Sequence, residues 1–120
     1  MDAVQLRPIP HLLVDAFDCG GPLDDLNAIQ EAMEAGARAV GAEVVGRAEC
    51  RYVPHGVTAV LFLAESHILV STWPEHKTAL IDVLLCNDRM DPEVVADAVL
   101  DALGAARSEL RQTPRYLLDD

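Results

Sequence analysis

Aromatic side chains are scarce in this chain of 120 residues: two Phe, two Tyr and one Trp. A core without them must be filled by Val, Leu, Ile and Ala. Basic residues are also few, 9 Lys and Arg against 20 Asp and Glu, for a formal charge of −11. No Lys/Arg cluster offsets this balance, so a phosphate backbone would be repelled and no nucleic-acid partner is expected. The same charge suits a small cationic ligand. Cysteine is limited to Cys19, Cys50 and Cys86. They are odd in number, far apart and without a C-x-x-C pair, which speaks against both a disulfide framework and a zinc ribbon. The longest apolar run, near Val57–Ala64, is far too short to cross a bilayer, so no membrane is expected. The start MDAVQLRPIP lacks the basic head and apolar stretch of a signal peptide. A reduced, cytoplasmic protein is the expectation. Gly and Pro number seven each, an ordinary share that excludes collagen-like and low-complexity classes. No repeat or linker is visible, and the length suits one domain over residues 1–120.

What is present is a regular alternation of apolar segments and turns. HLLVDAF (11–17) reads as a strand closed by Cys19-Gly20-Gly21-Pro22. A helix follows, with Leu23, Leu26, Ile29 and Met33 on one face, Asp24, Asp25, Glu31 and Glu34 elsewhere on it, and Gly41 as its stop. A second strand covers about Glu43–Val53. Three more apolar segments come in quick succession: VTAVLFLA (57–64), HILVSTW (67–73) and ALIDVLLC (79–86). Connections this short make antiparallel neighbours, because a parallel crossover needs a dozen residues or more. A second helix opens on Asp91 as N-cap and Pro92 at the first helical position, and ends at Gly104. SELRQT adds a last strand; the tail RYLLDD carries no readable pattern. The fold class predicted is α+β, a single mainly antiparallel sheet with two helices packed on one face. Its other face is apolar and needs cover, which a homodimer pairing sheet on sheet would supply.

Glu65-Ser66-His67 is the oddest local feature, three polar residues between two of the most apolar strands. By position alone it reads as a hairpin turn, where Ser is common. The surrounding stretch, P54-H-G-V-T-A-V-L-F-L-A-E-S-H-I-L-V-S-T-W-P-E-H, resembles the prokaryotic S-adenosylmethionine decarboxylase proenzyme family. That family carries a motif close to G-V-S-G-V-V-x-x-x-E-S-H-L-x-x-H-T-W-P-E, followed by a strand ending in Cys. The ordered set E-S-H…T-W-P-E…C is specific, and the resemblance covers roughly residues 11–105.

The resemblance implies the family's protomer fold and a self-processing, pyruvoyl-dependent decarboxylase. Ser66 would attack the carbonyl of Glu65 and turn the amide into an ester. Elimination would then leave residues 1–65 and a fragment 66–120 capped by a pyruvoyl group generated from Ser66. That carbonyl would condense with the substrate's α-amine and act as an electron sink when CO2 leaves, with no cofactor added from outside. Ser66 matches the pyruvoyl precursor, Glu65 the residue before the cut, Cys86 the catalytic acid, and Glu75 the residue that holds the substrate's ribose hydroxyls. Without the resemblance, Cys86 is an apolar strand end and Glu75 a loop carboxylate. The substrate implied is cationic S-adenosylmethionine, decarboxylated to the aminopropyl donor of spermidine synthesis, and the resemblance also points to a homodimer. Two alternatives stand beside it: a paralogue acting on arginine or ornithine, and an unprocessed, silent homologue serving as a partner subunit.

Two positions depart from the family. Thr58 stands where the family has a Ser of its processing machinery, and Ser71 where it has its processing His. Thr keeps the hydroxyl, but Ser71 cannot replace an imidazole as a base near neutral pH. His67 shares a strand face with Ser71 but lies about 13 Å along it, so it does not fill that space. His55 and His76 sit in turns flanking the hairpin. A metal site built from His55, His67, His76 and Cys86 lacks any close ligand pair, and no metal is expected.

Overall fold

The structure, a computed structural model describing residues 5–118, runs in chain order as follows. Strands β1 (Leu6–Ile9) and β2 (His11–Cys19) lead into helix α1 (Leu26–Ala39). Then come β3 (Val44–Arg51), β4 (Val57–Leu63), β5 (Ser66–Trp73) and, after a 3-10 turn at Pro74–His76, β6 (Thr78–Leu84). Helix α2 (Pro92–Leu103), β7 (Ala105–Gln112) and β8 (Arg115–Leu118) complete it. Six strands form one antiparallel sheet in the order β3-β4-β5-β6-β2-β7, and β1 pairs with β8 in a separate ribbon.

Period-two alternation decides which face is covered. Leu12, Val14 and Ala16 of β2, Ala59, Leu61 and Leu63 of β4, Ile68 and Val70 of β5, and Ile81 and Val83 of β6 all point to one side and are buried there. Both helices cover that side, donating Leu26, Ile29, Met33, Val95, Val99 and Leu103 to the same core. They also pack on each other, and Gly36 permits it: a Cβ there would meet Val95 Cα at 3.0 Å. The predicted α+β architecture is the one observed. No helix of the described residues is long and apolar enough to cross a membrane.

The helix caps follow the sequence chemistry. Asp91 accepts the Glu93 N–H at 2.9 Å, Pro92 opens α2, and Gly104 closes it in the left-handed region at φ 62°. At α1 the start shifts. Asp25, predicted on the helix surface, is its N-cap and accepts the Ala28 N–H at 3.1 Å. Leu23 and Asp24 therefore precede the helix: Leu23 is buried, and Asp24 accepts the Gly56 N–H at 2.6 Å, tying the turn to the head of β4.

Three boundaries differ from expectation. β6 ends at Leu84, so Cys86 lies just beyond the strand, which Leu85 terminates by donating its N–H to the Pro10 carbonyl at 3.0 Å. β7 begins directly after Gly104, ahead of the predicted SELRQT. The tail that showed no pattern contains β8, registered against β1 from Leu6↔Leu118 to Ile9↔Arg115. The ribbon's sides are largely exposed, so neither strand carries a hydrophobic period to betray it.

The helix-free face retains apolar side chains. Val60, Leu69 and Leu84 are half-buried, while Phe62 is 45%, Leu80 40% and Trp73 40% exposed.

Candidate functional site

Residues Ala64 and Glu65 make the two-residue turn between β4 and β5, with Leu63 paired to Ser66. Glu65 sits at φ 66°, a left-handed conformation that is strained for a residue with a side chain. The peptide it donates to Ser66 is thus held at a hairpin tip by two of the most apolar strands in the chain. Ser66 Oγ makes one hydrogen bond, a 3.4 Å approach to the Ala64 carbonyl, long for an O–H···O bond. It lines a cavity of about 380 Å³ with Val60, Phe62, His67 and Leu69.

Register carries Cys86 to the same end. His67 pairs with Leu84, and two residues further on Cys86 is level with the turn. It is half-buried, and its sulfur is 3.9 Å from the Asn87 amide nitrogen. The other two thiols are elsewhere: Cys50 is exposed on β3, and Cys19 is buried. Burial, with the charge of Asp18 adding to it, pushes the Cys19 thiol above its ordinary value.

Thr58, Ser71 and Glu75 collect at the opposite end of the hairpin. Ser71 follows Ser66 by five residues of β5, about 16 Å at ~3.3 Å per residue. Its Oγ is 2.8 Å from Thr58 Oγ1, which accepts a hydrogen bond from Tyr52 Oη at 3.0 Å. His55 Nε2 is bonded to the Glu75 carboxylate. These residues and Trp73 line a second cavity, of about 340 Å³. The residues predicted to act together are therefore divided within one protomer: Glu65, Ser66 and Cys86 at one end, and Thr58, Ser71 and Glu75 at the other. The four ligands considered for a metal are dispersed in the same way, because His55 and His67 belong to opposite ends.

Toward the Ser66 end lies a polar group that reading the sequence missed. Asp82 Oδ1 is 2.7 Å from His11 Nε2 and 3.3 Å from His67 Nε2, and the two imidazoles meet edge to face at 6.4 Å. Arg115 NH1 lies 3.2 Å from His11 Nδ1. A guanidinium only donates, so Nδ1 accepts and the proton on Nε2 is given to Asp82. These three side chains offer ligand atoms within 4.8 Å of one another, but that proton occupies the His11 nitrogen a metal would need. The available signal was Asp82 itself, a lone carboxylate inside the apolar strand ALIDVLLC.

The sequence model of the S-adenosylmethionine decarboxylase family matches residues 10–116. The chain belongs to the S-adenosylmethionine decarboxylase family. The S-adenosylmethionine decarboxylase proenzyme 2 of Halalkalibacterium halodurans is 35% identical over 106 residues, 88% of this chain and 84% of the relative. The proenzyme of Bacillus cytotoxicus is 36% identical over the same length, 88% of this chain and 82% of the relative. In three dimensions the crystal structure of the adenosylmethionine decarboxylase from Aquifex aeolicus superposes with a TM-score of 0.84. That match, at 26% identity, covers 95% of this chain and 96% of the other. Members of the family are pyruvoyl-dependent carboxy-lyases whose pyruvoyl group forms from a serine when the proenzyme is cleaved. The residues here fit that group: a serine with one long hydrogen bond follows a left-handed turn residue and lines a cavity.

Proposed function

We propose that this chain is a self-processing proenzyme, cut between Glu65 and Ser66, whose mature form decarboxylates S-adenosylmethionine in the cytoplasm. The observation that supports it is the left-handed Glu65 joined to Ser66, whose hydroxyl has only one long hydrogen bond, inside the family's fold. Attack of Ser66 Oγ on the Glu65 carbonyl relieves the turn strain as the amide becomes an ester. The pyruvoyl group formed from Ser66 supplies a carbonyl able to take up the electron pair left by departing CO2. Cys86, at the same end of the sheet, gives the proton that replaces CO2 on the substrate carbon. Glu75 accepts hydrogen bonds from the substrate's ribose hydroxyls, and the charge of −11 favours a sulfonium cation.

A second copy bridges the roughly 16 Å between the Ser66 and Ser71 ends. Two sheets stacked on their helix-free faces, with hairpins running in opposite directions, bring the Ser66 end of each protomer over the Thr58–Ser71 end of the other. A homodimer so built buries Phe62, Leu69, Leu80 and Leu84 and carries two equivalent sites.

Intact-mass measurement of freshly purified protein tests the reading, together with CO2 release from carboxyl-labelled S-adenosylmethionine. The expected result is a 1–65 fragment, a pyruvoyl-capped 66–120 fragment, and release of label. An uncut chain without release would instead support a silent homologue, and a cut protein releasing CO2 only from arginine or ornithine would support the paralogue. The dimer has its own check. Leu69→Lys, placing a charge in the middle of the stacked faces, is expected to sediment as a folded monomer that does not cut itself. A monomer that still cuts at the wild-type rate would overturn the shared site.

A further inference from the structure

Pyruvoyl formation needs a base for the Ser66 Cα proton, and the Thr58–Ser71 hydroxyl pair cannot be one. We propose that His55, oriented by Glu75, is that base and acts on Ser66 of the other protomer, an inference that rests on the self-processing reading above.

The chain has four histidines, so they can be weighed one by one. His11 is buried with both nitrogens engaged, Nδ1 by Arg115 and Nε2 by Asp82. His67 has its Nε2 turned to the Asp82 carboxylate, 3.3 Å away, which it shares with His11. His76 ends the 3-10 turn and lines neither cavity. His55 alone lines the cleft that holds Thr58 and Ser71. Its Nε2 is bonded to Glu75. A carboxylate accepts, so Nε2 carries the proton and Nδ1 keeps its lone pair. The carboxylate also stabilises the imidazolium that proton transfer creates, as in a His-carboxylate dyad.

The step balances. His55 Nδ1 takes the Ser66 Cα proton, the C–H pair becomes the Cα=Cβ bond, and the Cβ–Oγ bond breaks to release residues 1–65 as a carboxylate. The imidazolium returns its proton to Cβ, making a methyl group. Water then hydrolyses the resulting C=N bond, releasing ammonia and leaving the pyruvoyl carbonyl. Because His55 and Ser66 lie at opposite ends of the same hairpin, the transfer runs between protomers.

The test follows conversion of newly synthesised, full-length chain into the 1–65 and 66–120 fragments over time. His55→Ala is expected to slow it by about 10²-fold or more, with ester that hydroxylamine cleaves accumulating. Adding Ser71→His to His55→Ala, which puts an imidazole back into the same cleft, is expected to restore the rate. Mixing His55→Ala chains with Ser66→Ala chains is expected to restore cutting of the former, since each mixed dimer pairs an intact Ser66 with an intact His55 across the interface. Cutting of His55→Ala at the wild-type rate overturns the proposal and leaves the self-processing reading intact. Slow cutting rescued by neither route overturns it too, by showing a structural role. A wild-type chain that never cuts overturns the self-processing reading, and this inference with it.

Discussion

Ser66→Ala protein is expected to remain a single chain of 120 residues, without fragments and without decarboxylase activity, however long it is incubated. In the self-processing reading the substitution removes both the hydroxyl that attacks the Glu65 carbonyl and the source of the pyruvoyl group. It removes little else: Ser66 Oγ makes a single long hydrogen bond to Ala64, so fold and thermal midpoint should match those of unprocessed wild type. Uncatalysed amide cleavage is too slow to compete, and the loss should be complete on a gel and by mass. Fragments ending at Glu65 from the Ser66→Ala protein would show that water or another nucleophile makes the cut.

Cys86→Ser should separate processing from turnover. The variant is expected to cut itself and acquire the pyruvoyl group, yet release CO2 from substrate about 10²–10⁴ times more slowly, the range for losing a positioned acid. A hydroxyl is similar in shape to the thiol but a far weaker acid. Neither other thiol can substitute. Cys19 is buried in the core with its proton held more tightly by burial and by Asp18, and Cys50 lies on β3, the edge strand. Single-turnover CO2 release, normalised to pyruvoyl content, checks this. An unchanged rate would remove Cys86 from the reaction and point to solvent as the proton source.

Local rules carried most of the fold. The two-residue spacing between β4 and β5 dictated an antiparallel hairpin, and Asp91-Pro92…Gly104 marked both ends of α2, because each signal is written within a few neighbouring residues. The motif around Glu65-Ser66-His67, with Cys86 beyond it, was legible for the same reason. The β1–β8 ribbon was not: its strands are four residues each, more than a hundred positions apart and exposed, so nothing periodic announces their pairing.

By itself, then, the sequence determined the α+β class, most of the strand and helix spans, and the Glu65-Ser66-His67 motif with Ser71 five residues beyond Ser66. Tertiary structure alone decided which of these residues share a space. Strand register put Cys86 level with Ser66 and set Ser71, with Thr58 beside it, about 16 Å away, gathered His11, His67 and Asp82 from three strands, and brought His55 against Glu75 in the Ser71 cleft. The physical reason is that such contacts depend on hydrogen-bond register between strands distant in the chain, and no local pattern of side chains encodes that.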